Sequence, residues 1–570
     1  MSYLPNRALF LTSAALALLT IALLVGCSAT PPFPGAPEPT ALPTPPPATA
    51  TPLPRGGSLA VRLAADVPNL RPWQPRSRGE EQLVSLIYSG LTRLDAKLQP
   101  QPDLASAWNA SPDGRLITMT LRSGLTWHDG APLTAEDAAF TLEALQAISP
   151  TTALLSDMRR ITTVSTPTST TLVISLTERY APIFSILALP ILPKHLLVDK
   201  EIGSFDFWQA PVGSGPFVLQ ERHAGQSISL AANPRFYRGA PLLDKLIFGV
   251  LPDSQAAVVA LSDGSLQLAE LPWPAAQQLS GSSRVRSASY SENGYYFMAM
   301  NNRAGRPTAD VRVRQALAAA LDLRQLVAAA TAERGIPIVS SAVPGSWADL
   351  TEVPTTTLDL NRARLLLDEA GWKLTTGSSI RQQGGVTLTL QLLVRGDDPR
   401  RVQAAKLIAQ GVAQVGVAIQ VQESDFESAI RPRYAPPYDF DLLLGSWSNG
   451  IGDAAFADFA YYDPDDFALF HSSQINQGIA DTRAVLNIMG FSDSAYDAHA
   501  VAARQIYDPA ERAKALRLAQ QRLVAQQPYL FLWNDTIPVA LSATIVTLDG
   551  PVNLTTPMYF WNVERWFLKP

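Results

Sequence analysis

The chain contains a single cysteine, Cys27, among its 570 residues. No intramolecular disulfide can form, and a thiolate cage for a metal is excluded. Histidine is nearly as scarce: His128, His195, His223, His471 and His499 stand singly, without ligand spacing. No resident metal or cofactor is therefore expected. Charged residues make up 17% of the chain, the formal net charge is -5, and Lys and Arg nowhere cluster. The electrostatic footprint that binding a phosphate backbone requires is missing, so nucleic acid is not an expected partner. Neither a G-x-S-x-G elbow nor an H-E-x-x-H helix occurs. No fixed-period repeat is found, which argues against a solenoid.

Hydrophobic residues make up 47% of the chain, enough for a large buried core. At roughly 150 residues per domain the length would accommodate about four units, but large binding lobes exceed that size, and two lobes are expected. At the N-terminus Arg7 precedes an apolar run, residues 8–25, that closes in Leu24-Val25-Gly26-Cys27. This is the outline of a secretory signal. The last four residues resemble the lipobox of bacterial lipoproteins, which implies cleavage before Cys27 and a diacylglycerol on its thiol. A plain membrane-spanning anchor is the alternative, since the run approaches the ~20 residues a helix needs to span a bilayer. Either reading places the remainder outside the cytoplasm. Residues 31–54 are almost wholly Pro, Ala and Thr. Such a segment cannot bury a core and predicts an extended stalk, up to roughly 75 Å long at about 3.1 Å per residue. Residues 1–26 thus read as signal peptide and 27–57 as lipidated cysteine plus linker.

Globular sequence begins after Gly57. Alternating residues predict strands over 58–63, 116–122, 171–176, 227–230, 242–251, 386–392 and 417–421. Thr134 with Asp137 three residues on predicts a capped helix through Leu142. Asp310 predicts the cap of one long helix to about residue 330. Further helices are expected over 361–370, stopped by Gly371, and over about 402–414. Strands alternating with helices indicate an α/β fold. Two constellations invite a catalytic reading. His128-Asp129 could form an acid/base dyad, yet neighbours in a strand point to opposite faces and Asp129-Gly130 is a turn signal. Gly213-Ser214-Gly215 hints at a phosphate loop, but Pro216 follows directly and a glycine-rich turn is the better reading.

A series of ordered motifs carries a resemblance. The first block is Pro102-Asp103-Leu104-Ala105, Trp108, Ser111-Pro112-Asp113-Gly114, the run 121–130 (LRSGLTWHDG) and Pro132-Leu133-Thr134-Ala135-Glu136-Asp137. Then come the run 211–217 (PVGSGPF), Asn233-Pro234 with Tyr237 and Gly239, the run 310–317 (DVRVRQAL) with Asp322, and Ala370-Gly371-Trp372. Over roughly residues 58–533 the chain resembles the family-five extracellular solute-binding proteins, the peptide, nickel and opine class of ABC importers. The resemblance implies a two-lobed periplasmic-binding-protein-like (Venus-flytrap) fold with an extra subdomain inserted in the first lobe. Mapped onto this chain, lobe I comprises 58–97, 209–300 and 528–570, the inserted subdomain 98–208, and lobe II 301–527, with crossings near 296–302 and Pro528.

The same resemblance implies reversible capture of an oligopeptide or similar solute, with no chemical step, by a monomer that hands it to a membrane permease and its ATPase. Opines, oligosaccharides and metal chelates are the other ligand classes, a solute-sensing receptor is another role, and a secreted hydrolase would need a nucleophile or carboxylate pair that is not evident. The expected ligand-binding residues are Asp66, Glu270, Trp273, Asn293, Tyr295, Trp447, Asn449 and Asp453. Peptide binders of the family usually place an aspartate three residues after the tryptophan to pair the ligand's ammonium. Here that position is Gly450, so Asn449 or Asp453 would have to substitute. Trp273 and Tyr295 could equally be core residues, whereas Trp447 is expected at the ligand.

Overall fold

Alternation along two neighbouring strands sets the centre of the molecule. In Gly294–Met300, Tyr296, Met298 and Met300 enter one apolar cluster, while Tyr295, Phe297 and Ala299 enter another on the opposite face. In Tyr529–Ser542, Leu530 and Leu532 join the first cluster, Tyr529 and Phe531 the second. Successive side chains in a strand point to opposite faces, so these strands must be covered on both sides. Leu442–Ser448 repeats the pattern, with Leu442 and Leu444 on one face and Leu443 and Trp447 on the other.

The computed structural model describes residues 54–73, 77–148, 157–203, 206–350, 357–448, 462–476 and 486–569. Cys27, the signal segment, nearly all of the stalk, Asn449 and Asp453 lie outside the described residues. Leu53–Pro570 forms one compact unit. Among the described residues no helix is long and apolar enough to cross a membrane.

One twelve-stranded sheet system organises this unit, and the fourteen-residue strand Tyr529–Ser542 is its spine. At about 3.3 Å per residue such a strand spans roughly 45 Å, enough to serve two lobes. Its first part pairs antiparallel with Gly294–Met300, which leads outward to Leu442–Ser448, Thr389–Arg395 and Ala418–Ser424. Its second part pairs with Val285–Ser291 and Leu268–Glu270, leading to Ser58–Leu63, Lys245–Val250, Ser227–Ala232 and Phe217–His223. The partners therefore change at Glu292-Asn293 on one strand run and Asn534-Asp535 on the other. Asn534 stitches this junction, its amide donating to the carbonyls of Glu292 (2.6 Å) and Gly294 (2.7 Å). A separate four-stranded sheet, ordered Ala105–Ala110, Leu116–Leu121, Thr171–Leu176 and Ile161–Thr168, packs with the helix Ala135–Gln146.

Local chemistry explains where the expected elements shift. Thr134 and Asp137 form a reciprocal capping box on Ala135–Gln146. The single long helix expected from Asp310 is two, Val311–Ala319 and Leu323–Thr331. Asp322 breaks it, because its side chain accepts from the backbone of Gln325 and starts a new helix. The helix expected from residue 402 begins earlier, at Pro399, where Asp398 caps and proline suits the first turn. Gly371, at φ +89°, ends Leu360–Glu369 in the left-handed conformation glycine favours.

Candidate functional site

The junction is lined with buried polar groups that lobe-spanning strands alone do not need. Arg78, at the start of the helix Arg78–Ile87, donates to Glu81, to the hydroxyl of Tyr462 at 2.8 Å and to Glu292. Tyr462 in turn donates to Glu81. One turn of the helix places Arg78 and Glu81 on the same face, and Glu292 sits where the sheet partners change. Beside them Glu270 Oε1 accepts from Gln82 Nε2 (2.8 Å), Tyr559 OH (2.9 Å) and Tyr290 OH (3.0 Å). Arg62 braces the same strand end, donating to the Glu270 carbonyl (2.6 Å), Leu251 (2.8 Å) and Pro252 (2.9 Å).

Two carboxylates thus share one guanidinium, and a third carboxylate takes neutral donors on its side chain. Burial pushes Glu292 up to about 7, with Arg78 and the Asn293 N–H only partly opposing it. Burial likewise raises Glu81 against the pull of Arg78 and Tyr462. Burial works against the Arg78 charge, but Glu81, Tyr462 and Glu292 outweigh it and hold that charge firmly.

Residues 462–466 lie across this network. Asp463 takes both Arg512 Nη1 (2.9 Å) and Nη2 (2.5 Å), and accepts from Ser185 Oγ at 2.8 Å. Asp465 accepts from Arg504 Nε at 2.6 Å, and Asp466 from Tyr496 OH (2.7 Å) and Ser341 Oγ (2.9 Å). Further contacts tie the same regions together: Ala181 N donates to the Arg504 carbonyl (2.6 Å), and Tyr507 OH to that of Gly114 (2.6 Å). Along the helix Arg78–Ile87 runs a cavity of about 130 Å³, lined by Glu81, Gln82, Val84, Ser85, Arg93 and Tyr462 among others.

The residues expected from sequence fall in different places. Glu270 is in the junction network and contacts the cavity wall through Gln82. Asn293 is half-buried beside it, its backbone N–H donating to Glu292 at 2.9 Å. Trp273 is half-buried and donates to the Thr536 carbonyl at 3.2 Å. Asp66 is exposed and caps a turn, accepting from Val67 and Gly225 backbone N–H groups at 2.9 Å each. Tyr295 and Trp447 are packed in the second aromatic cluster: Trp447 stacks on Phe297 at 5.7 Å and donates to Tyr529 OH at 3.2 Å. Gly445 makes room for this, since a Cβ there would come within 3.0 Å of the Phe297 ring. Arg78, Glu81, Glu292 and Tyr462 were not expected from sequence.

The two constellations with a catalytic look are structural. His128 Nδ1 accepts from Gly213 N (3.3 Å), so Nε2 donates to the Gly215 carbonyl (3.1 Å), and burial lowers its pKa to about 4. Asp129 turns away to His195, at 2.8 Å. Gly213 and Gly215 are glycines because the carbonyls ending the helix Arg78–Ile87 lie where a Cβ would be, 2.0 Å and 2.5 Å away. Among the described residues no group of three or more His, Cys, Asp or Glu is placed to hold a metal ion.

Two lobes joined through paired antiparallel strands, with polar groups buried at the junction, define the class of two-lobed binding proteins. Residues 99–467 match the model of the bacterial extracellular solute-binding proteins, family 5 Middle, and the chain belongs to that family. It is 26% identical to the oligopeptide-binding protein AppA of Bacillus subtilis over 90% of this chain and 92% of that one. It is 28% identical to the nickel-binding periplasmic protein of Escherichia coli, over 66% of this chain and 76% of the relative. The solved structure of Bacillus subtilis AppA in complex with a nonapeptide superposes with a TM-score of 0.62 at 24% identity, covering 90% of this chain and 99% of that structure.

Proposed function

We propose that this protein is the capture subunit of an ABC importer, taking oligopeptides or similarly sized solutes into the cleft between its lobes. The observation that carries the reading is near end-to-end similarity to AppA, an oligopeptide-binding protein solved with a nonapeptide. The protein acts as a monomer, without a chemical step, and delivers its ligand to a permease and its ATPase. Cys27 carries a lipid anchor that holds it outside the cytoplasm, on a stalk ending near residue 57. Lobe I is built from 58–97, 209–300 and 528–570, the inserted subdomain from 98–208, and lobe II from 301–527. Asp66, Glu270, Trp273, Asn293, Tyr295, Trp447, Asn449 and Asp453 contribute to the ligand site or its walls. Closure is favoured to the extent that the closed state makes contacts with ligand that the open state lacks.

Gly450 favours a second reading, in which the ligand is a modified or amine-blocked peptide, an opine, an oligosaccharide or a metal chelate. The two are separated by mass spectrometry of small molecules released when freshly purified, anchor-free protein is denatured. A ladder of short peptides is the expected result. A single sugar, chelate or amine-blocked compound would overturn the peptide reading and leave the fold untouched.

A further inference from the structure

The cavity beside the helix Arg78–Ile87 is walled largely by apolar groups, Val84, Leu189, Met558 and Phe560 among them. An apolar cavity of ~150 Å³ holds a benzene molecule, so about 130 Å³ is room for one ring or one branched side chain. Ser85, on the cavity lining, is exposed and marks its mouth.

Two charged groups of the lining differ in balance. Arg93 and Arg238 pair with Asp103, and Arg238 also with Glu564: Arg238 lies 3.4 Å from each carboxylate and Arg93 lies 3.9 Å from Asp103. Glu81 and Tyr462 also line the wall, and Glu81 shares Arg78 with Glu292.

We propose that this cavity is a subsite for an apolar group of the ligand, and that Glu81 on its wall receives a protonated amine carried next to that group. The proposal rests on the reading of the protein as a solute-binding protein and names the chemistry of its ligand. A charge-assisted hydrogen bond from an ammonium offsets a carboxylate that burial disfavours, and burial already raises both Glu81 and Glu292. The arrangement supplies from the helix Arg78–Ile87 the negative charge that Gly450, having no side chain, does not.

The test uses three probes, phenethylammonium, ethylammonium and 3-phenylpropionate, titrated into protein freed of retained ligand by unfolding and refolding, with binding read by calorimetry or saturation-transfer NMR. Phenethylammonium is expected to bind at least tenfold more tightly than either of the others. Ser85→Phe, at an exposed position, is expected to lose that binding, and Glu81→Gln to lose the preference for the amine over the acid. Equal binding of all three probes, no binding of any, or binding unchanged in Ser85→Phe overturns the proposal. Failure of Glu81→Gln to fold leaves the decision with Ser85→Phe. Protein that releases peptides but ignores phenethylammonium loses the subsite and keeps the peptide reading. Protein that binds phenethylammonium but releases no peptides does the reverse.

Discussion

Among the described residues Asp463 pairs with Arg512 at 2.5 Å and Asp465 with Arg504 at 2.6 Å, whereas Glu81 and Glu292 both pair with Arg78. The four acids belong to one connected region, since Tyr462 binds Arg78 and Glu81 and is followed at once by Asp463. The difference separates fastening from recognition. A buried pair with matched charge gains no more from a further ion, so it serves to hold parts in place. Two carboxylates on one guanidinium are one cation short of full ionisation, so burial holds Glu292 partly protonated near pH 7, and an incoming cation can take the place of that proton.

Removing a partner from the matched side should have the largest effect. Arg512→Ala leaves Asp463, fully buried, without its cation, and a loss of about 3–5 kcal/mol in denaturant unfolding is expected. A loss below about 1 kcal/mol, the range of exposed pairs, would break the comparison on that side.

The shared side predicts a pH dependence. Glu292 rises from an ordinary value of 4.5 to about 7 in the folded protein. The native state therefore binds the extra proton between those values. The stability tied to that proton is complete below about pH 4.5 and lost as pH rises through about 7. Glu292→Gln should flatten the decline and stabilise the protein above pH 8, by at most about 3 kcal/mol. An unchanged pH profile in this variant would contradict the assignment of the shared charge to Glu292.

Tyr462→Phe sharpens the link between the two sides. It deletes the hydroxyl that joins Arg78 to Glu81 while keeping the ring among Leu94 and Leu98, and a loss of about 1 kcal/mol is expected. The smallest effect belongs to the solvent-exposed pair Lys194–Glu136, where Lys194→Ala should leave the unfolding midpoint unchanged within error.

Much of the frame is legible in sequence because its causes are local. The alternation of Ile117, Met119 and Leu121 with Leu116, Thr118 and Thr120 marks a strand buried on one face, and Thr134 with Asp137 marks a cap. Asp322 shows the limit: an aspartate inside an apolar helical pattern reads as tolerated until its side chain is seen to cap a second helix. The charged site is harder to see. Glu80 and Glu81 after Ser77 read as first-turn acids suited to a helix N-terminus, and nothing local shows that Glu81 faces a cavity. Arg78 and Tyr462 are 384 residues apart, so their contact leaves no pattern in either segment. Glu270 was legible through its place in the family's order of segments, which locates a strand end but not the hydroxyls around it.

The central claim is that this junction recognises a positively charged solute. It is tested most directly by calorimetric titration of the refolded, ligand-free protein with a mixture of random tripeptides, and with the same mixture acetylated at the amino terminus. Tight binding of the free-amine mixture, with release of a fraction of a proton near pH 7 as Glu292 gives up the one it holds, and at least tenfold weaker binding of the acetylated mixture, is the predicted result. Equal affinity for the two mixtures, with no proton released, would contradict it.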